Sequence, residues 1–293
     1  MYFKELAILF LDIKKGLYKI STYYKVEGII NNRLSLFFSY KISDIKPSFI
    51  KFWLSSIDDV GSKSKKHYLN ILNQIFKLAL DDDLLSKNPC ENIKIIYFKP
   101  KINPFSSFEV NQILEKSLNY NYKLQIFLKI GFYTGMRTGE ILALKIKEID
   151  LEKRIIYINS TRSRFGEGTP KTFYSIRKIP IFNILYTDLK NFVLSNKNNT
   201  YLFETQYNKP YRDDFVFCKF YKQILKDLSL SYRRPYTMRH TFATNFLLNS
   251  NLSPLELSKI LGHSSPEMVY KVYVKYIDDL KDNFKRDIQI YKI

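Results

Sequence analysis

Cysteine is nearly absent from this 293-residue chain, which has only Cys90 and Cys218. The two lie far apart and outside any metal-ligand spacing. That argues against a disulfide framework or a zinc motif and fits a reducing, cytoplasmic setting. Long apolar runs are missing too. The stretch Leu6 to Leu11 is bounded by Glu5 and Asp12, too short to span a bilayer, and reads as part of a core helix rather than a signal peptide. There is no internal repeat, no low-complexity tract, no phosphate-cradling glycine loop and no cluster of metal-ligating side chains, so neither a metal nor a cofactor is expected. Acidic residues are scarce: 28 Asp and Glu stand against 47 Lys and Arg, a net charge of +19. Such a field favours a polyanionic partner, usually nucleic acid. A biased composition rich in Lys, Asn, Ile, Tyr and Phe gives the same sum, so charge alone leaves both readings open. Residues 1–98 and the remainder are each basic on balance, as for a ligand gripped from two sides.

With 45% hydrophobic and 26% charged residues, the chain has an ordinary globular balance and length enough for a real core. The first hundred residues read as helices. In Lys65–Leu80, Tyr68, Ile71, Leu72, Ile75 and Ala79 recur at three- and four-residue steps, one apolar stripe whose start Ser62 or Ser64 would cap. Lys63, Lys65 and Lys66 gather there, either as a solvated helix end or as a phosphate contact. The helix breaks over Asp81–Pro89. A second break, Tyr97–Pro104, has two prolines and no apolar period and marks a domain boundary: residues 1–98, a linker 99–104, and residues 105–293.

The second part is mixed. Ser107–Leu118 and Tyr122–Tyr133 read as helices, Thr134-Gly135-Met136-Arg137 as a turn, and Thr138 as the cap of a short helix Gly139–Leu144. Ile155–Ile158 and Ile176–Ile181 pair as a hairpin with a long connection, Thr161 to Thr172. After Arg212 the chain is helical again. Ser253-Pro254-Leu255-Glu256 combines an N-cap, a proline in the first turn and a capping-box glutamate, and Gly262 ends that helix. Ser264-Ser265-Pro266-Glu267 repeats the start signal, which pins His263 in a corner between two helices. Leu280, Phe284, Ile288 and Ile290 are spaced for an amphipathic helix over 277–293.

Several of these positions suit phosphate chemistry. Arg137, in a glycine-flanked turn before a helix, can aim a planar, permanently charged fork at an anion, and Glu140 can orient it. In Tyr236-Thr237-Met238-Arg239-His240-Thr241, Thr237 as N-cap puts Arg239 and His240 in the first helical turn, where backbone N–H groups favour an anion. Arg233 and Arg234 add charge just before it. Tyr270, Tyr273 and Tyr276 step around one helix, and spacing alone does not separate a packing stripe from a nucleophile.

As an ordered set these pieces resemble the tyrosine recombinase (phage integrase) family. Leu261-Gly262-His263-Ser264-Ser265 followed by a tyrosine ten residues past the histidine resembles its C-terminal signature. Arg239-His240-Thr241-Phe242-Ala243-Thr244 resembles its second arginine box, and Thr134-Gly135-Met136-Arg137-Thr138-Gly139-Glu140-Ile141 its first. The likeness runs over about residues 105–277; the helical N-terminal part is similar to the family's SAM-like core-binding domain in size and character. The resemblance implies a mainly helical fold with a small antiparallel sheet, two domains closing on DNA as a C-shaped clamp, and a site-specific recombinase working through a 3′-phosphotyrosyl bond without metal or ATP. It implies duplex DNA as partner and a homotetramer on paired sites. Alternatives are a relative that binds DNA without cutting it and a type IB topoisomerase-like activity.

By the same resemblance Arg137 and Arg239 clamp the scissile phosphate, supported by Glu140. Lys171 protonates the leaving oxygen, His263 bonds the phosphate, and Tyr273 is the nucleophile. Arg162 and Arg164 are nearby cations of the hairpin, expected on DNA with Arg233, Arg234 and the lysines at 63–66. One position departs from the pattern. The box usually starts with histidine three residues before its arginine; here that residue is Tyr236, whose ordinary pKa of about 10 makes a poor general base. His240 is expected to face a different direction from position 236, which leaves the acceptor of the nucleophile's proton open.

Overall fold

The structure is a computed structural model that describes residues 1–98, 100–170, 172–250, 253–274 and 277. The chain separates into two compact units, divided between Pro100 and Lys101. Among the described residues no helix is long and apolar enough to cross a membrane.

Among the described residues the N-terminal unit holds four α-helices, α1 (Phe3–Lys15), α2 (Ile20–Arg33), α3 (Pro47–Ser56) and α4 (Ser62–Asp81), with two short 3-10 turns between α2 and α3. The Leu6–Leu11 run lies within α1, which buries Phe3, Leu6, Ala7, Phe10 and Leu11 on one face. Helix α4 answers with Leu69, Ile71, Leu72, Ile75, Phe76 and Ala79; the stripe is the expected one, except that Tyr68 lies at its margin, packed against the core. Gly61, not a serine, is the N-cap of α4, and Ser62 is already helical.

The C-terminal unit begins with α5 (Ser107–Ser117), whose N-cap Ser106 accepts from the Glu109 N–H while Glu109 accepts from the Ser106 N–H. Helix α6 (Tyr122–Thr134) ends at Gly135, which takes a left-handed conformation with φ +65°. A β-carbon there would stand 2.5 Å from Phe242 and 2.9 Å from Leu261, so only glycine makes this stop. Helix α7 (Thr138–Ala143) follows, and its N-cap is Arg137, not Thr138, which is the first helical residue.

The expected hairpin is present and more elaborate than the sequence indicates. Strands β1 (Ile149–Asp150), β2 (Ile155–Ile158) and, across the long connection, β5 (Arg177–Pro180) form an antiparallel sheet with Ile156 opposite Ile179. Inside the connection, β3 (Thr161–Ser163) and β4 (Gly166–Gly168) pair as a separate two-stranded ribbon. Helices α8 (Asn183–Ser195) and α9 (Phe215–Asp227) pack on a core that includes Phe127, Phe203 and Phe217.

Helix α10 (Thr237–Asn249) begins one residue earlier than its expected cap allows, with Tyr236 as N-cap and Thr237 as first residue. It is central: Met238, Arg239, Thr241, Phe242, Ala243, Thr244 and Phe246 are all buried. Helix α11 (Pro254–Leu261) has the expected Ser253 cap and Glu256 partner, and stops at left-handed Gly262. After His263, the Ser265 hydroxyl accepts from the Glu267 N–H, and a short α12 (Glu267–Val269) runs into a π-helical turn, Tyr270–Val274. Tyr276 and the terminal amphipathic pattern, of which Ile277 alone is described, lie outside the described residues.

Candidate active site

Arg239 is the pivot. Its guanidinium is 1% exposed, a costly place for a charge unless polar partners meet it. Nη1 donates to the Gly135 carbonyl at 3.0 Å and Nη2 to the Leu261 carbonyl at 2.6 Å. These carbonyls sit at the C-terminal ends of α6 and α11, where helices leave acceptors unsatisfied and carry partial negative charge. One side chain thus ties two helix ends to the start of α10. Burial, and then the neighbouring Arg137 charge, press its pKa downward.

Arg137 stands at the start of α7, a third exposed, with Nη1 2.6 Å from Glu140 Oε1. Glu140 also accepts from the Arg137 backbone N–H, at 2.9 Å, and it is nearly inaccessible. A second arginine grips it from the sheet: Arg177 on β5 donates Nη2 to Oε2 at 2.9 Å and Nη1 to Oε1 at 3.1 Å. Burial alone would raise the carboxyl pKa, but the hydrogen bonds and charges of Arg177 and Arg137 pull it below its ordinary value. Arg177 Nε completes the tie by donating to the Ile260 carbonyl. Arg177 is a site residue that no motif in the sequence marks. Its signal was strand alternation, which puts residue 177 on the same face as buried Ile179.

His263 follows Gly262, whose φ is +69° and whose absent β-carbon would fall 2.8 Å from Arg177 Cδ and 2.9 Å from the Tyr174 carbonyl. Burial, then the charges of Arg239, Arg137 and Arg177, hold the His263 pKa down to about 4. Among the described residues its buried Nδ1 has no hydrogen-bond partner.

Tyr273 is 2% exposed, and its hydroxyl lies 2.9 Å from His240 Nδ1. Burial raises the phenol's pKa, against the pull of Arg239 and Arg137. Tyr270, three residues earlier, is half exposed. Residues three apart on an ordinary α-helix fall about 60° short of a full turn; in the wider π turn each residue advances less around the axis, so the two phenols diverge more, one exposed and one buried.

His240 corrects the expectation that it faces away from position 236. The two residues are one helical turn apart and share a face, with ring centroids 5.0 Å apart and nearly perpendicular. Tyr236 is itself 46% exposed and covers the imidazole from outside. Burial, and then the Arg239 charge, lower the His240 pKa to about 4.

The structure brings Arg137, Glu140, Tyr236, Arg239, His240, His263 and Tyr273 together. Lys171 lies outside the described residues. The remaining cations fall into two groups. Lys63, Lys66, Arg164 and Arg234 are exposed. Lys65 donates to the Leu54 carbonyl near the end of α3. Arg162 pairs with Glu167 and packs over Tyr201, and Arg233 forms a two-pronged pair with Glu109 while stacked on Phe105. These partners hold the second group in place, whereas the first group is exposed to solvent.

This ordered set belongs with the sequence families that the chain matches. Residues 104–278 match the phage integrase family and residues 2–57 its N-terminal SAM-like domain. The chain belongs to the phage integrase family. It is 29% identical, over 90% of its own length and 76% of the relative's, to a tyrosine recombinase XerC-like protein of Caldanaerobacter subterraneus subsp. tengcongensis. In fold it is similar to the Tn1549 transposon integrase solved in complex with a circular intermediate DNA, with a TM-score of 0.80, 23% identity, and coverage of 93% of this chain and 95% of that one. It is also similar to lambda integrase, solved as a tetramer bound to a Holliday junction, with a TM-score of 0.76, 16% identity, and coverage of 89% and 77%. Site-specific recombination is therefore the class of activity in which this protein falls.

Proposed function

We propose that this recombinase cleaves and rejoins duplex DNA with Tyr273 as nucleophile. The phenol oxygen attacks the scissile phosphorus, the P–O5′ bond breaks, and a 3′-phosphotyrosyl bond holds the cut end. Arg137, Arg239 and His263 hold the phosphate oxygens as negative charge builds on them, Glu140 sets the angle of Arg137, and Lys171 protonates the departing 5′ oxygen. The covalent bond keeps the energy of the phosphodiester, so the 5′ hydroxyl of a partner strand reverses the step. Tyr236, exposed at the rim, donates its hydroxyl to a phosphate oxygen.

The observation that carries this reading is charge around a buried phenol. Three guanidinium groups, Arg137, Arg177 and Arg239, surround the site, and among the described residues Glu140 is the carboxylate paired with them. The excess of positive charge has the sign and place that a phosphodiester needs. The exposed cations Lys63 and Lys66 on one unit and Arg164 and Arg234 on the other would add sequence-independent backbone contacts. Assembly as a homotetramer on two DNA sites is part of the same proposal, supported by the tetrameric state of the lambda integrase structure.

The test uses tiled duplexes covering the DNA on either side of the gene, each nicked so that cleavage releases a short fragment and traps the adduct. A denaturing gel should show a covalent protein–DNA band. Tyr273→Phe should abolish it, while Tyr270→Phe and Tyr276→Phe retain it. Persistence of the adduct in Tyr273→Phe overturns the assignment.

A further inference from the structure

Resting on Tyr273 as nucleophile, we infer that His240 is a catalytic residue: its Nδ1 takes the phenol proton as Tyr273 attacks and returns it when the strand is rejoined. The contact is direct, 2.9 Å between Nδ1 and the Tyr273 hydroxyl, within the reach a general base requires. Among the described residues no other hydrogen bond to that hydroxyl is formed, and no carboxylate contacts it. The residue at the position where the family box carries histidine is Tyr236, and it does not compete for the proton. Instead it packs edge-on against the imidazole at 5.0 Å and fixes the ring from its solvent side. A tyrosine at 236 and a histidine one turn later thus form a contiguous series of rings, Tyr236–His240–Tyr273, the first pair edge-on and the second tilted at 5.6 Å.

The groups facing the imidazole set its protonation. They are Arg239 on the same helix, Tyr236 at its start, Tyr273 from the π turn and, more remotely, His263 after α11. Burial and the Arg239 charge keep His240 neutral at physiological pH, which leaves a lone pair to accept with. For the phenol to donate, the ring proton must sit on Nε2. A bound phosphodiester places negative charge against Arg239 and so relaxes the depression of the imidazole pKa as the proton is needed.

The Tyr273 O–H bond breaks, the proton goes to Nδ1 to give imidazolium, and the oxygen forms the O–P bond. The P–O5′ pair leaves on O5′ and takes a proton from Lys171. In the reverse direction imidazolium protonates the leaving phenolate.

Single-turnover cleavage of the nicked duplex tests this with His240→Ala and His240→Asn. The asparagine can present an acceptor to the phenol but cannot take up its proton. Both variants should bind DNA with near-native affinity, lose about 10²–10⁴-fold in rate at neutral pH, and regain rate steadily with rising pH as hydroxide replaces the base. Added imidazole should partly restore His240→Ala. A substrate with sulfur in place of the 5′-bridging oxygen needs no acid for its leaving group; it should relieve Lys171→Ala and leave the His240 variants slow. Wild-type rate and pH profile in His240→Asn assign the residue to orientation alone and overturn the proposal, as does a His240→Ala defect that the sulfur substrate repairs. These outcomes are distinct from failure of the underlying reading, which is an adduct that survives in Tyr273→Phe.

Discussion

Glu140 and Arg177 form a two-pronged ion pair at 2.9 and 3.1 Å in which the side chains are only 2% and 5% exposed. Because Glu140 also receives Arg137, the pair connects strand β5, which follows the segment carrying Lys171, to the arginine proposed to hold the phosphate. Leaving a buried charge wholly unpaired costs about 3–5 kcal/mol; in Arg177→Ala the Glu140 carboxylate keeps Arg137 at 2.6 Å, so unfolding free energy in denaturant titrations should fall by less than that. The substitution should also slow cleavage more than it weakens DNA binding, since Arg137 loses its anchored carboxylate. A variant with native stability and native cleavage would mean the pair has no such role.

The two clamp arginines should respond differently to truncation. Arg137 is a third exposed and ties no helix ends together, so Arg137→Ala should remain folded, bind DNA, and cut about 10²–10³-fold more slowly, the scale for loss of one donor to a developing oxyanion. Arg239 holds the Gly135 and Leu261 carbonyls, so Arg239→Ala should lose cleavage and also melt at lower temperature. Equal melting temperatures for the two variants would mean that Arg239 does not tie the ends of α6 and α11.

Much of this site was legible in the sequence because its signals are local. Capping chemistry announced α11, and the Ser253–Glu256 box and Gly262 stop are where spacing put them. The hairpin was readable from its β-branched runs. What escaped depends on tertiary geometry. Arg177 looks like a surface strand cation until β5 packs beside α11, and Arg233 reads as a phosphate contact until Glu109 is brought to it from over a hundred residues away. Caps were misplaced by a residue at Ser62, Thr138 and Thr237 because a serine or threonine near a helix start invites that role wherever the backbone turns. Tyr273 meets His240 from a π turn, and nothing in the spacing of the three tyrosines signals that turn.

Gly262 should tolerate no side chain. Its φ of +69° and a β-carbon 2.8 Å from Arg177 and 2.9 Å from a backbone carbonyl make strain and collision add. Gly262→Ala should cost about 1–2 kcal/mol from the left-handed backbone alone, and more from the contact. Since His263 is next in the chain, cleavage should fall beyond what the stability loss explains. Native stability in this variant would mean the loop relaxes freely.

The net charge of +19 predicts that DNA affinity falls steeply with salt, because each phosphate neutralised by Lys or Arg releases counterions. Titrations of one duplex from low to physiological salt measure the slope. Removing the exposed Lys63 and Lys66 should flatten it, while removing Lys65, whose amine is engaged with the Leu54 carbonyl, should flatten it less. A response independent of salt would assign the charge to composition alone.

Stability itself should depend on pH in the acid range. His240 and His263 have pKa values depressed to about 4 by burial and neighbouring arginines, whereas an unfolded histidine titrates near its ordinary value of about 6.5. Between those limits the unfolded chain binds protons that the folded chain refuses, so stability rises with pH through the window and is lost as pH falls from about 6.5 toward 4. Carboxylates act lower: Glu140, depressed by its arginines, contributes stability that is present above the ordinary carboxyl pKa and disappears as its own pKa is crossed. Denaturant unfolding at half-unit pH steps should show the histidine slope first. His263→Gln and His240→Asn should each remove part of that slope, because amides take up no proton. An unchanged slope in the double variant would place the acid sensitivity elsewhere and show that neither imidazole is held neutral by the arginines.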